Sequence, residues 1–345
     1  MKKILLFVLS GLFLVILIVP AMLVLPFDNR TLNEGSISRQ ASEIPQEHKG
    51  SEKKASTHKS TVAIPVYRTV SKEIENIPLE EYVVGVVASE MPVEFEKEAL
   101  KAQALAARTY IVRQLTENNV INAPKGSLVD DTQMFQVFKN KKELKSLWKE
   151  DYENNIKKIT EAVSETQGQI ITYDNKPIDA SFFSTGNGYT ENSEDYWDNR
   201  IPYLRSTTSP WDKNSSKYRS QKVIAVDQFE KLLNVSLPSN GTIGTITKLT
   251  EGKRVANVII NGKKFTGKEI REKLGLKSTD FNWSRDKGNI IINTKGYGHG
   301  VGMSQYGANG MAKEGSTYDK IISHYYKDIK IVDGESFLSK VTAKK

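Results

Sequence analysis

Glu98-Ala99-Leu100-Lys101-Ala102-Gln103-Ala104-Leu105-Ala106-Ala107-Arg108-Thr109-Tyr110 is the stretch on which the fold turns. Leu100, Ala104, Leu105, Ala107, Ile111, Val112 and Leu115 recur at helical spacing and predict an apolar helix from about Glu96 to Leu115. Lys101 and Arg108 fall on the same stripe, seven residues apart and one above the other, within a face that should be dry. Two readings are open. Both cations snorkel at the edge of the core or pair with carboxylates, or they form a basic wall facing a site.

Working toward the N-terminus, Leu79, Tyr82, Val83, Val86 and Val87 predict a second helix, with Pro78 in its first turn and Pro92 ending it. The stripe of Leu79, Val83 and Val87 continues to Glu90, which sets a carboxylate on an apolar face. Burial disfavours the ionised form, so such a glutamic acid holds its proton near neutral pH and can donate it. The competing reading is an ion pair of Glu90 with Lys101 or Arg108. Earlier still, Thr61 to Val70 reads as an extended strand, and the polar, aromatic-poor segment from Asp28 to about Ser60 reads as a disordered tether.

The start of the chain predicts where the protein works. Lys2 and Lys3 precede an apolar stretch from Ile4 to Phe27, and about 20 such residues suffice for a membrane span. It is longer than the apolar part of a cleaved signal peptide. The expectation is a retained anchor over 1–27, with the N-terminus cytoplasmic and residues 61–345 outside the membrane; cleavage near Ala21 and secretion is the alternative. Cysteine is absent, which removes disulfides and thiolate metal sites. A formal net charge of +8 spread over 345 residues suits an anionic wall or membrane surface as readily as nucleic acid. An extracytoplasmic body without phosphate-loop or zinc-finger spacing argues against nucleic acid as partner.

Working toward the C-terminus, charged helical segments cover about Lys141 to Glu165, and a hairpin is expected over Gln169–Tyr173 and Pro177–Phe183, turning at Asp174-Asn175. A small-residue loop, 184–191, precedes Tyr196, Trp197, Tyr203 and Trp211. Rings beside a polar loop suit sugar recognition and equally suit a core edge. Ile243 to Phe265 alternates like antiparallel strands around Asn261-Gly262, and Gly267 to Leu274 reads as a short helix. This block, within a possible insertion at about 235–290, shows no obvious chemistry. Short helices over Met303–Glu314 and Thr317–Lys327 close a fold of class α+β, a single body of helices with antiparallel sheet.

Gly296-Tyr297-Gly298-His299-Gly300-Val301-Gly302-Met303-Ser304-Gln305-Tyr306-Gly307-Ala308 alternates glycines with functional side chains. Glycine lets the backbone approach a ligand or another chain segment closely. His299 lacks partners for a metal, and Gly302-Met303-Ser304-Gln305-Tyr306 lacks the second glycine of a nucleophile elbow. The favoured reading makes His299 a substrate hydrogen-bonding group in a glycine-lined wall.

Ser89-Glu90-Met91-Pro92, the helix motif from Glu98 to Tyr110 and the run from Gly296 to Ala308 together closely resemble the stage II sporulation protein D family. The resemblance implies a membrane-anchored lytic transglycosylase that cuts peptidoglycan, preferably peptide-free glycan, during engulfment of the forespore. It implies Glu90 as catalytic acid, with Lys101, Arg108, Tyr203 of the Pro-Tyr-Leu motif, His299, Ser304, Gln305 and Tyr306 binding substrate. Its implied partners are a membrane-anchored amidase and a polytopic membrane protein. Some members hold zinc through cysteine and histidine; that site does not transfer to a chain without cysteine, and no cofactor is expected. Related domains are described as amidase enhancers, so a non-catalytic glycan-binding enhancer is the alternative. A water-using muramidase would need a second carboxylate, for which Glu191 and Asp195 are the candidates.

Overall fold

The computed structural model describes residues 62–117 and 123–342. The expected anchor and tether lie outside the described residues, among which no helix is long and apolar enough to cross a membrane. The fold is α+β, as the sequence predicts, but the described residues assemble it from five small sheets of two or three strands.

β1 (Ala63–Arg68) and β2 (Glu73–Pro78) form an antiparallel hairpin, and Ile64 and Val66 of β1 are fully buried. β2 escapes sequence reading because Glu73, Ile74 and Glu75 sit on an outer strand with no apolar alternation. α1 (Leu79–Glu90) follows at once, with Pro78 at its N-cap. α2 (Lys97–Glu117) is buried on nearly every face between Ala99 and Val112. Its alanines let neighbours approach from all sides, so the periodic stripe does not mark a wet face.

β3 (Val129–Asp130) joins β1 in parallel. Two helices then follow, α3 (Lys141–Trp148), opened by an Asn140/Glu143 capping box, and α4 (Tyr152–Ser164). β4 (Gln169–Tyr173) turns at Asp174 and Asn175, whose φ values of 48° and 56° make the expected tight turn, into β5 (Lys176–Pro177). The expected second strand stops there. Phe182–Phe183 forms a separate strand, β6, pairing elsewhere.

β7 (Arg219–Ala225), α5 (Val226–Leu233), β8 (Thr245–Leu249), β9 (Val255–Ile260), β10 (Lys263–Thr266), α6 (Gly267–Leu274), β11 (Asp280–Asp286) and β12 (Asn289–Lys295) follow in order. They enclose a second apolar cluster, including Phe229, Val258, Ile270 and Ile290, apart from the main core. β13 (Met303–Ser304) pairs in parallel with β6 and leads into α7 (Gln305–Lys313), α8 (Tyr318–Tyr325), β14 (Lys330–Asp333) and α9 (Glu335–Thr342). α1, α4, α7, α8, α9 and β4 all pack on α2. The ends of the main core, at α1 and α7, thus meet beside that helix and set up the site.

Candidate active-site cleft

Glu90 is the last residue of α1, where Met91 turns extended ahead of Pro92. Its Oε1 accepts the Val137 backbone N–H at 2.8 Å. Burial pushes the carboxyl pKa up, against the Val137 bond and the Lys139 charge, which pull it down. The Glu90 backbone carbonyl accepts Gln305 Nε2 at 3.1 Å, so the first residue of α7 fixes the end of α1 from 215 positions away. No carboxylate-to-cation bond holds Glu90 among the described residues, so the ion pair with Lys101 or Arg108 does not form.

Glu90 opens into a cleft of about 510 Å³. Its walls include Tyr110, the loop from Gln133 to Gln136, the segment from Asp179 to Ser184, Trp197, Arg271, Tyr297 and His299. The glycine run forms one wall because its alternate residues, Gly296, Gly298, Gly300 and Gly302, all take positive φ. A Cβ on Gly302 would overlap the Ser181 carbonyl, and one on Gly300 would lie 2.7 Å from the Arg254 guanidinium. The close approach these glycines permit is therefore to the protein's own second layer.

His299 stands in that wall with both ring nitrogens engaged. Nδ1 accepts the Val301 N–H at 3.1 Å, which leaves Nε2 protonated and donating to the Phe182 carbonyl at 3.0 Å. Burial, aided by the charges of Arg271 and Arg254, pushes its pKa down to about 3. The neutral ring packs among Phe183, Tyr196 and Trp197 with centroids 5.2 to 5.7 Å away. The ring presents a face to the cleft rather than a free hydrogen-bonding group.

The remaining expected binders serve the framework. Arg108 is buried and grips Glu80 in a fork, Nε to Oε1 at 2.8 Å and Nη2 to Oε2 at 2.7 Å. Its other donors reach the Gln169 and Val163 carbonyls. Lys101 bonds Glu98 at 2.7 Å, lies 3.4 Å from Glu165 and sits over the Tyr318 ring. Neither cation lines the cleft, because the faces of α2 that carry them pack against acids outside it, while Tyr110 is the α2 residue that reaches the cleft. Ser304 is buried, donates to Asp212 Oδ1 at 2.5 Å and caps α7 by accepting the Gly307 N–H at 3.1 Å. Tyr306 packs edge-on against Phe95 at 4.9 Å. The Tyr203 hydroxyl accepts the Asp179 N–H at 2.8 Å, one layer behind the cleft.

Glu191 and Asp195 do not line the cleft. Glu191 is buried behind the glycine run, accepting from Thr250 at 2.9 Å and lying 3.9 Å from Arg254. The second carboxylate in the cleft is Asp179, which accepts from Ser181 Oγ at 2.7 Å and sits 3.6 Å from Arg113. Sequence reading missed it and Arg271, since each reaches the cleft through tertiary crossings that no local spacing records. Tyr110 lies inside the helix motif, but nothing in that motif's spacing singles it out as the residue that lines the cleft.

The family model described as "SpoIID: Stage II sporulation protein" matches residues 67–173, which contain Glu90 and the α2 motif. Over 342 residues the chain is 57% identical to "Stage II sporulation protein D" of Bacillus amyloliquefaciens, covering 98% of both chains. The chain belongs to the stage II sporulation protein D family. A second such protein, from Bacillus subtilis (strain 168), is 55% identical over 338 residues, again with 98% of each chain covered. The "Amidase enhancer" of the same organism is 29% identical over 296 residues, 70% of this chain and 39% of that protein. Among the described residues no group of three or more His, Cys, Asp or Glu side chains could hold a metal ion. With no cysteine in the sequence, the zinc site of some family members does not fit here.

Proposed function

We propose that this protein is a lytic transglycosylase that cleaves the bond between N-acetylmuramic acid and N-acetylglucosamine in peptidoglycan, preferably in peptide-free strands, during septal wall degradation in sporulation. The observation that carries the reading is the Glu90 carboxyl, half-buried at a helix end with its pKa raised, opening into an aromatic-lined cleft. Raising the pKa of a carboxyl widens the pH range in which it holds the proton that a general acid must give. Glu90 gives its proton to the glycosidic oxygen as that oxygen's bond to muramic acid C1 breaks, and positive charge develops at C1 and the ring oxygen. The resulting carboxylate then takes the proton of the C6 hydroxyl, whose oxygen bonds to C1 and closes a 1,6-anhydro ring. One carboxyl thus serves twice, and the tethered hydroxyl replaces water. Trp197, Tyr297 and the His299 ring give the sugar faces apolar surface to lie on.

In this reading the first 27 residues anchor the chain, 28–60 act as tether and 61–345 work outside the membrane beside an amidase and a polytopic membrane protein. Mass spectrometry of products from peptide-free glycan strands tests it. Anhydromuramic ends that vanish in Glu90→Gln are expected. Reducing ends would replace the reading with hydrolysis, for which Asp179 would be the second carboxylate. The likeness to an amidase enhancer favours one other reading, a non-catalytic glycan binder. Glycan binding without cleavage by the wild-type protein would establish it.

A further inference from the structure

The glycan reading leaves one wall of the cleft without a role. Arg271, on α6 of the second apolar cluster, is the single lysine or arginine among the described residues that line the cleft. No carboxylate among the described residues lies within ion-pair distance of it, whereas Arg108 and Arg113 are both committed to acids. What holds Arg271 is neutral: Nη1 donates to the Tyr196 hydroxyl at 2.6 Å, and the guanidinium lies 5.7 Å from that ring's centroid. A guanidinium fixed on one edge by a phenol keeps its remaining N–H fork free for a planar anion. The same rim repeats the pattern. Lys268 sits over Tyr196, and Lys217 and Lys277 both sit over Tyr297, at 5.0 to 5.5 Å, none of them in an ion pair among the described residues.

We propose that Arg271 reads a carboxylate on the bound glycan, the lactyl carboxylate of a muramic acid from which the peptide has been removed. The inference rests on the glycan reading and gives its specificity a physical cause. The hydroxyls and acetamido groups of a glycan strand are neutral, and the lactyl group carries charge only when its amide link to the peptide is gone. A strand still bearing peptide presents an uncharged amide there and leaves Arg271 facing a group with no charge to match. The flanking lysines add a field that draws a repeating polyanion to this rim.

The test measures binding and turnover by the full-length chain in mild detergent with three probes. These are peptide-free strands with free lactyl carboxylates, the same strands with those groups converted to methylamides, and N-acetylglucosamine oligomers. The wild type should prefer the free carboxylate about tenfold, equivalent to about 1.4 kcal/mol, and the preference should shrink with added salt. Arg271→Gln should abolish that preference by raising KM for the charged strand about tenfold while leaving kcat and the two neutral probes within about twofold. Arg271→Lys should recover part of it. Equal weakening toward all three probes in both variants would assign Arg271 a structural role and overturn the proposal. So would a wild type indifferent to methylamidation, or Arg271-dependent binding to poly(glycerol phosphate) tighter than to glycan. A wild type that engages none of the glycans defeats the glycan reading itself, whereas one that cleaves charged and neutral strands alike defeats the Arg271 assignment alone.

Discussion

Two glutamates whose carboxyls burial pushes up, Glu90 and Glu191, stand on opposite accounts of what a shifted pKa means. Burial pushes Glu191 up to about 7, yet it is 2% exposed and boxed in by Thr250, Arg254 and Gly252, where a Cβ would overlap its carboxylate. Glu90 has a single backbone donor on one oxygen and faces an open cleft. Perturbation marks a buried acid, and access decides whether that acid can meet a substrate. The same division runs through the other polar groups: Arg271 and Asp179 face the cleft, while Arg108 and Ser304 close the framework behind it.

The sharpest break of this comparison is a pair of isosteric changes. Glu90→Gln should lower kcat by about 10²–10⁴-fold with little change in melting temperature, and Glu191→Gln should leave most of the activity. Comparable activity losses in the two variants would erase the distinction. Next in size is Arg108→Ala, which leaves the part-buried Glu80 without its cation; breaking a buried pair costs about 3–5 kcal/mol, and the exposure of Glu80 sets this one at the low end. Denaturant unfolding should show that loss, while the refolded fraction keeps its KM. A raised KM in folded protein would restore Arg108 to the site.

The fold was legible where local chemistry decides it. Asn261-Gly262 turns between β9 and β10 with φ values of 46° and 80°, and α6 runs from Gly267 to Leu274 as its pattern predicts. Glu90 was legible because a carboxylate continued an apolar stripe. Legibility failed where neighbours override period. The α2 stripe left two readings of its cations open, a basic wall or pairing with carboxylates, and tertiary packing decides for pairing, Lys101 with Glu98 and Arg108 with Glu80. Asp179 and Arg271 gave no signal, since their places depend on how Phe182–Phe183 pairs with Met303–Ser304 and how α6 is carried to the cleft.

Protonation separates the two glutamates more gently. With a native pKa near 7 against an ordinary 4.5, Glu191 keeps its proton in the folded state after the unfolded chain has lost it. Its contribution to stability is fully present below about pH 4.5, falls by at most about 1.4 kcal/mol per pH step as pH rises toward 7, and then levels. Glu191→Gln should flatten that slope in melting temperature over this window. A slope unchanged in the variant would mean that another group titrates there. Glu90, raised in the same direction, should instead show in activity, with cleavage falling as pH climbs past its pKa and the acid loses its proton.

The smallest effect probes the layer where the glycine run becomes α7. Ser304 accepts the Gly307 N–H and donates to Asp212, whose carboxyl burial pushes up against the hydroxyl bonds that pull it down. Ser304→Ala removes the cap and one partner of a buried carboxyl, and loss of a cap costs about 1 kcal/mol. Gln305 follows directly and holds the Glu90 carbonyl, so fraying of this turn would loosen the end of α1 as well. The expected result is a melting temperature lowered by a few degrees with KM unchanged, because Ser304 does not face the cleft. A KM rise at unchanged stability would instead mean that the hydroxyl reaches substrate, moving Ser304 from the closed layer to the open one.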